Sequence, residues 1–132
     1  AGQDQKRRLA VCYLLIEQAT EKIAGFYTLS AGSMALNDIP QEQTRKLPRY
    51  PTLPIARVGR LAVGLEFRGQ GLGSLLLADA VNRARLAEMG VYAVLVDAKD
   101  DQAVEFYEHH GFKRIGDSQA LFLPLSESLK KL

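Results

Sequence analysis

The stretch Arg68-Gly69-Gln70-Gly71-Leu72-Gly73 decides the fold of this chain, because it separates an apolar strand pattern from a long amphipathic helix pattern. The strand pattern ends at Leu61-Ala62-Val63, and Ser74-Leu75-Leu76-Leu77 continues the helix pattern. Glycines at alternate positions let the backbone approach a bulky anion without Cβ clashes. The first turn of a helix has N–H groups without intrahelical partners and carries the positive end of the helix dipole. The stretch therefore predicts a phosphate-binding turn.

The spacing of the glycines distinguishes between kinds of phosphate-binding turn. A P-loop requires Lys and Ser or Thr after its last glycine, and no Lys follows Gly73. A dinucleotide fingerprint requires G-x-G-x-x-G, whereas Gly69, Gly71 and Gly73 give G-x-G-x-G. The pattern R-x-x-G-x-G is present from Arg68 onward, and it resembles the acetyl-CoA-binding motif of GNAT N-acetyltransferases. A tight strand-to-helix turn without a ligand is the alternative, because glycine marks turns in general.

A second segment supports the same family. Residues 91–98 are almost continuously apolar and rich in valine, which predicts a buried parallel strand. Asp100-Asp101-Gln102 follows as a helix N-cap cluster, and residues 103–112 match the second GNAT pattern, A-x-x-F-Y-x-x-x-G-F. The two motifs stand in the family's order with the family's strand between them, over roughly residues 55–125. The chain is therefore identified as a member of the GNAT superfamily, which implies the acyl-CoA N-acyltransferase fold.

The hydropathy pattern predicts a mixed α/β order. Two segments, 9–17 and 22–36, predict an antiparallel hairpin, and four prolines make 37–54 mostly a loop, with one short helix near 41–47. Strands over 56–63, 91–98 and 119–125, helices over 72–89 and 101–110, and a frayed tail over 126–132 complete the order. This order predicts an α/β (α+β) mixed sheet in one GNAT domain, 1–132. Because GNAT proteins open with a strand and one or two helices, the order suggests a truncated N-terminal segment.

The composition narrows the class of protein. Hydrophobic residues make up 47% and charged residues 24% of 132 residues, as in a globular domain. No apolar run reaches the roughly 18 residues of a membrane span, and no signal peptide is recognisable, so no membrane partner is expected. The single cysteine, Cys12, favours a reducing compartment and thus a cytoplasmic location, and its apolar neighbours predict a buried thiol. No Cys/His cluster has metal-ligand spacing, so no metal is expected.

The net charge of +2 hides an asymmetry. Up to residue 60 there are nine Lys and Arg against five Asp and Glu, whereas the remainder has eight against ten. A basic surplus attracts polyanions and steers their approach. Scattered charge that keeps the protein soluble is the alternative.

Further segments are similar to the GNAT toxins of bacterial toxin–antitoxin operons, the TacT and AtaT kind. These segments are Gly25 to Ala31, Leu47 to Pro51, Gly59 to Val63, Val96 to Asp100 and the run FYEHHGF at 106–112. The resemblance implies acetylation of the α-amino group of aminoacyl-tRNA, which blocks translation. It also implies a cognate antitoxin of the ribbon-helix-helix type, and it allows a homodimer.

Two other classes of function stay open. One is a GNAT enzyme that acetylates a protein N-terminus, a lysine or a small amine with the same cofactor site. The other is a non-catalytic module that binds CoA or another nucleotide. The assay that separates them offers acetyl-CoA with each class of acceptor.

The chemistry of acetyl transfer suggests one catalytic side chain. An α-amino group has a pKa of about 8, so a useful fraction is neutral near pH 7.5 and a strong general base is optional. A leaving thiolate, whose thiol has a pKa of about 8.5, benefits from a proton donor. Tyr107 fits this task and matches the family's catalytic tyrosine position. A backbone N–H near Leu61 to Val63 would meet the oxyanion.

The expected binding residues follow from the motifs. Acetyl-CoA is the expected cosubstrate, and the residues expected to bind it are Leu61, Ala62, Val63, Arg68, Gly69, Gln70, Gly71, Leu72, Gly73, Ser74 and Phe106. The residues expected to contact the tRNA backbone are Arg45, Lys46, Arg49 and Arg60. A salt bridge on the strand is the alternative for Arg60, and a core position is the alternative for Phe106.

Several other side chains have two interpretations. His109 and His110 precede Gly111 at a helix end, which favours a capping or surface role over that of a catalytic base. Asp97 either orients a ligand at the end of its strand or caps the next turn. The remaining predictions place Tyr27 and Tyr50 in the acceptor cleft and make Met34 and Met89 packing residues.

Overall fold

The computed structural model of the chain describes residues 10–35, 52–87 and 90–125. Five residues with predicted roles lie outside these described residues, namely Arg45, Lys46, Arg49, Tyr50 and Met89. The predicted short helix near 41–47 and the tail over 126–132 lie outside them as well. The predictions made for these residues and segments therefore stay predictions.

Six strands form one sheet in the order β1-β2-β3-β4-β6-β5. The elements are β1 Val11–Ile16, β2 Ile23–Ala35, β3 Thr52–Val63, α1 Leu72–Arg85, β4 Ala93–Asp97, α2 Asp101–His109, β5 Lys113–Arg114 and β6 Ala120–Pro124. Only the β3–β4 pair is parallel among the neighbouring strands of this sheet. The predicted mixed α/β sheet is therefore confirmed. No helix within the described ranges is long and apolar enough to cross a membrane.

Two element boundaries differ from the prediction by four residues, and the others by at most two. Strand β3 begins at Thr52, inside the segment predicted as a loop. Pro54 has no N–H to donate, and its carbonyl oxygen, which accepts a hydrogen bond from Tyr92 N at 2.8 Å, faces β4. Because the pairing with β4 begins only at Ile55, the missing donor leaves no ladder bond unmade. Helix α1 ends at Arg85, with Leu86 as its C-cap, and so falls short of the predicted residue 89.

Strand β4 is buried on both faces, which explains its continuous apolar sequence. Val94 and Val96 face the side of the sheet covered by both helices, where they join one cluster with Leu77 of α1 and Val104 of α2. The opposite face carries a second cluster of six buried residues: Met34, Leu53, Ile55, Ala93, Leu95 and Phe122. The first cluster holds α1 and α2 over one face of the sheet.

The prediction of a buried Cys12 is wrong, because Cys12 is exposed. Strand β1 lies at the edge of the sheet, and its side chains alternate between the two faces. Tyr13 and Leu15 pack against the cluster beneath the helices, while Cys12 and Leu14 point to the other face and are exposed. An apolar run on an edge strand thus has only one covered face.

The structure also corrects the prediction for Tyr27, which lies in the core rather than in an acceptor cleft. Its side chain is fully buried, and its ring stacks on Tyr13 with centroids 5.1 Å apart. Its hydroxyl donates a hydrogen bond of 2.5 Å to the Asp79 carboxylate, which also accepts one from Arg83 at 3.0 Å. Burial first, then the bond to Asp79, raises the pKa of Tyr27. This Tyr27–Asp79–Arg83 network ties β2 to α1.

Candidate active site

Strands β3 and β4 separate at their carboxyl ends, where the predicted motifs begin. The last pair between β3 and β4 is Val58–Val96, whereas β3 continues to Val63 and stays paired with β2 through that residue. Beyond Val58, the β4-facing edge of β3 therefore has no strand partner within the described residues. A backbone edge of this kind can hydrogen-bond an extended ligand that carries amide groups.

A β-bulge redirects β3 where the strands part. Tyr27 pairs with Leu61 and Leu29 pairs with Val58, so Gly59 and Arg60 together oppose the single residue Thr28. The Arg60 backbone N–H donates a hydrogen bond of 3.0 Å to the Thr28 Oγ1 atom. A Cβ on Gly59 would lie 2.8 Å from that same oxygen, so a side chain there would displace the Thr28 hydroxyl.

The glycine turn leads from β3 into α1. Gly69 and Gly71 have φ angles of 82° and 76°, in the left-handed region that favours glycine, and a Cβ on either would point into open space. The first intrahelical bond of α1 runs from Leu75 N to Gly71 O at 3.2 Å. The N–H groups of the three preceding residues, 72–74, therefore have no partner in the helix. The turn combines open space with free donors.

Tyr107 lies on α2, across the cleft from the end of β3. Asp100 begins this helix, because its carboxylate accepts a hydrogen bond from Ala103 N at 2.8 Å, as the sequence predicted. The Tyr107 ring is 8% exposed and packs against Phe106 and Phe112, with centroids 5.2 and 5.6 Å away. Burial raises the pKa of the Tyr107 phenol, so the phenol keeps its proton at neutral pH.

A cleft of about 340 Å³ brings together seven of the twelve residues predicted for catalysis and cofactor binding. These seven residues are Leu61, Ala62, Val63, Arg68, Gly73, Phe106 and Tyr107. Phe106 has features of both predictions, a core position and a cofactor-binding position, because it packs against the core and also lines the cleft. The exposed residues Gly69, Gln70 and Gly71 and the half-buried Leu72 form the turn beside the cleft.

The cleft also contains residues that the sequence analysis did not assign to it. Lys99, Asp100, Gln102 and Ala103 line the wall formed by the β4–α2 connection. A usable signal was their position directly after a parallel strand, since ligands bind at the carboxyl ends of such strands. The pattern Asp100-Asp101-Gln102 by itself predicts only the start of a helix.

The two histidines at the end of α2 differ. His109 is exposed, as predicted. The His110 ring is half-buried, and its two nitrogens lie 2.8 Å from the Phe106 carbonyl oxygen and 2.9 Å from Ser74 Oγ. The capping interpretation of His110 is confirmed, because it is the C-cap residue of α2 and its ring contacts the Phe106 carbonyl oxygen of the last turn. The ring also bridges α2 and the first turn of α1.

Two charged residues flank the point where the strands part. Asp97, at the end of β4, forms an ion pair with Arg57 of β3 at 2.5 Å, so it neither caps the next turn nor lines the cleft. Asp100 provides that cap instead. Arg60 is exposed and takes part in no salt bridge within the described residues. The salt bridge on the strand, which was the alternative to a tRNA contact, is therefore not observed.

The residues present fit a CoA-type group. The unpaired edge of β3 suits the amide groups of a pantetheine arm, and the open left-handed turn suits a diphosphate. Arg68 adds a cation to the same cleft, and Tyr107 adds a proton donor. The arrangement can bind an extended acyl carrier and donate a proton near its reacting end.

Comparison with known proteins agrees with this geometry. A curated relative, the tRNA-acetylating toxin of Mycobacterium tuberculosis (strain ATCC 25618 / H37Rv), is 40% identical over 94 residues, covering 70% of this chain and 55% of the relative. The chain thus spans about half the length of that relative.

Two solved structures are similar over 98% of this chain. AtaT complexed with acetyl-methionyl-tRNAfMet has a TM-score of 0.86 at 26% identity, with 78% of its own chain covered. An AtaT mutant toxin bound to the C-terminus of the antitoxin AtaR and acetyl-CoA has a TM-score of 0.74 at 26% identity, with 76% covered. These similarities confirm the resemblance to this group of toxins.

The family model described as the acetyltransferase (GNAT) domain matches residues 41–121. This range contains both sequence motifs, the parting of β3 and β4, and Tyr107. The predicted fold is therefore confirmed, and the chain belongs to the GNAT acetyltransferase family.

Proposed function

We propose that this chain, as one domain over residues 1–132, is the catalytic domain of an acetyl-CoA-dependent N-acetyltransferase. Its acceptor is the α-amino group of aminoacyl-tRNA, and it acts as the toxin of a toxin–antitoxin pair. The observation that carries the proposal is that Tyr107, Arg68 and the unpaired edge of β3 line one cleft. This juxtaposition supports acyl transfer rather than nucleotide binding alone.

The residues of the cleft have distinct roles in this proposal. Arg68 and the N–H groups of residues 72–74 hold the diphosphate, with the Gly69–Gly71 turn leaving space for it. Backbone groups of residues 61–63 hold the pantetheine arm, and one N–H among them stabilises charge on the acyl oxygen. When bound, acetyl-CoA supplies an acyl thioester whose thiol is the leaving group.

Tyr107 supplies the proton that the leaving thiolate needs. Its raised pKa keeps the phenol protonated at neutral pH, so the hydrogen is in place before the reaction. The α-amine needs no strong base, because its pKa of about 8 leaves a fraction neutral. Loss of the phenol oxygen should therefore lower the rate and leave binding intact.

The choice of acceptor rests on the names of the similar proteins, a tRNA-acetylating toxin and a complex with acetyl-methionyl-tRNAfMet. In this proposal Arg60, which is exposed in the bulge of β3, would contact an anionic acceptor. Arg45, Lys46 and Arg49 would extend this basic surface. The antitoxin partner, its ribbon-helix-helix type, a homodimer and a cytoplasmic location belong to the same proposal.

The proposal is tested by offering labelled acetyl-CoA with charged tRNA, uncharged tRNA, a peptide panel and polyamines. We expect label on charged tRNA alone, with Tyr107→Phe as the inactive control that still binds CoA. Label on peptides or polyamines in place of tRNA would assign another acceptor class. CoA binding without turnover on any acceptor would contradict the catalytic role.

A further inference from the structure

His110 connects the end of α2 to the first turn of α1. Its Nδ1 atom lies 2.8 Å from the Phe106 carbonyl oxygen, and its Nε2 atom lies 2.9 Å from Ser74 Oγ. The ring also contacts the Phe106 ring, with centroids 4.7 Å apart. Two polar contacts and one ring contact therefore fix its orientation, and the chemistry proposed above uses none of them.

The partners of the ring determine where its hydrogens lie. A carbonyl oxygen only accepts, so Nδ1 carries a hydrogen. In the neutral ring Nε2 then has a lone pair, and the Ser74 hydroxyl donates its hydrogen to it. In the protonated ring Nε2–H donates to Oγ instead, which frees the hydroxyl hydrogen for another acceptor. The charge of His110 thus sets the direction of the Ser74 hydroxyl.

We propose that His110 is a positioning residue for the diphosphate of CoA, which turns the Ser74 hydroxyl toward the ligand as its ring takes up a proton. The inference rests on the proposed function, because it requires the diphosphate to lie at the first turn of α1. Beside a neutral ring, Ser74 presents oxygen lone pairs to the phosphate oxygens. Beside a protonated ring, it presents a hydrogen, and the cation attracts the anion.

The charged groups around the ring are few within the described residues. On α2, His109 is the ionisable neighbour in ring contact, with centroids 5.2 Å apart, and Glu105 and Glu108 are exposed. On α1, the facing group is the neutral Ser74 hydroxyl. Arg68 lines the cleft before α1 and is present in every variant compared. A proton taken up on binding therefore has two candidate acceptors, His109 and His110.

The test measures proton uptake when dephospho-CoA binds the purified chain, by calorimetry in two buffers of different ionisation enthalpy. Dephospho-CoA is the probe because it lacks the 3′-phosphate, which would titrate in the same range as histidine. We expect proton uptake on binding, seen as a difference in the observed enthalpy between the two buffers. His110→Gln and Ser74→Ala should each abolish the uptake and bind about tenfold more weakly.

Two controls make the result specific. His109→Gln should keep the proton uptake and the affinity of the unmodified chain. The double variant of Ser74→Ala and His110→Gln should bind about as weakly as either single variant, because each single change already removes the same contact between Nε2 and Oγ. Nitrogen-15 NMR of the unmodified chain reports the His110 tautomer with and without the ligand, and it requires no variant to fold.

The outcomes separate this inference from the proposed function. Binding of dephospho-CoA without proton uptake, additive losses in the double variant, or uptake lost in His109→Gln would each overturn the role of His110. If the unmodified chain binds neither CoA nor dephospho-CoA, the proposed function itself is wrong.

Discussion

The Oγ1 atom of Thr28 accepts a hydrogen bond of 3.0 Å from the backbone N–H of Arg60, and this contact anchors the bulge in β3. The bulge lies between the last β3–β4 pair and residues 61–63, which line the cleft. A side chain on β2 thus holds the backbone that is proposed to bind the pantetheine arm.

Removing the Thr28 hydroxyl should weaken both the fold and the cleft. Thr28→Val keeps the shape and leaves the Arg60 N–H without its acceptor, which should cost about 1–2 kcal/mol of unfolding free energy. CoA affinity should fall several-fold, because the end of β3 is held less firmly. Urea unfolding and CoA titration measure the two effects. Thr28→Ser is the matched control, and equal behaviour of the two variants would show that the hydroxyl does not anchor the bulge.

Gly71→Val should abolish CoA binding while the fold survives. The left-handed φ of 76° makes any side chain costly by about 1–2 kcal/mol, and the added methyl groups would occupy the open space assigned to the diphosphate. Gly116→Val is the matched control, since Gly116 has a φ of 58° and open space in the turn before β6. Both variants should lose similar stability in urea unfolding. Unchanged CoA affinity in a folded Gly71→Val protein would contradict the diphosphate site.

Tyr107→Phe should lower the acetylation rate by about 10²-fold or more and leave CoA affinity unchanged. The phenol oxygen alone is lost, so the packing against Phe106 and Phe112 is retained. Because its pKa is raised, Tyr107 should cause no loss of rate below about pH 10, where the phenol stays protonated. Tyr13→Phe, outside the cleft, serves as the control in steady-state assays. Full turnover of Tyr107→Phe would assign thiolate protonation to water.

Acid should destabilise the chain in part through Asp79. The hydrogen bond from Tyr27, followed by the contacts with Arg83, lowers the pKa of this carboxyl in the folded state. Its stabilising effect is therefore present above the unfolded value of about 3.9 and is lost as pH falls through the folded value. Asp79→Asn should flatten the dependence of unfolding free energy on pH below about pH 4. Asp117→Asn, in an exposed turn, should retain the wild-type dependence; identical curves for both variants would contradict the assignment.

Charge reversal should distinguish tRNA contacts from ordinary surface charge. Reversing Arg45, Lys46 and Arg49 together should weaken tRNA binding across sequences and flatten its salt dependence, because phosphate contacts carry no sequence information. CoA affinity should not change. A triple variant with the affinity and salt slope of the unmodified chain would show that the segment does not contact tRNA.

A matched pair of single reversals tests the same idea among the described residues. Arg60→Glu, in the bulge, should weaken tRNA binding and reduce the salt slope by about one unit. Lys113→Glu, exposed on β5 at the far edge of the sheet, should change neither. Equal effects of the two changes would indicate a general response to net charge.

The elements that the sequence predicts well are those whose pattern depends on local chemistry. Strand β4 is buried on both faces and so is apolar from Ala93 to Val96, and the Asp100 cap marks the start of α2. The prediction for Cys12 was wrong because hydropathy does not report whether a strand lies at the sheet edge. The two-residue strand β5 is too short for any periodicity to reveal it.

The features of the site that escaped prediction depend on contacts between distant segments. His110 and Ser74 are 36 positions apart, and Thr28 and Arg60 are 32 apart. No local pattern encodes such pairs, because they form only after the helices and strands pack. Tyr27 shows the same limit: it was predicted in the acceptor cleft, whereas its ring is buried and its hydroxyl donates to Asp79, 52 positions away.

The parting of β3 and β4 has a consequence for how this site can be mapped. Along residues 61–63 the proposed contacts come from main-chain amides and carbonyls, which every amino acid except proline supplies in full. An alanine scan would therefore find almost nothing along this wall of the cleft, even where it binds the ligand tightly. Proline substitution, or replacement of single amides by esters, would be needed to detect it. Side-chain substitutions along residues 61–63 are therefore expected to leave ligand binding nearly unchanged.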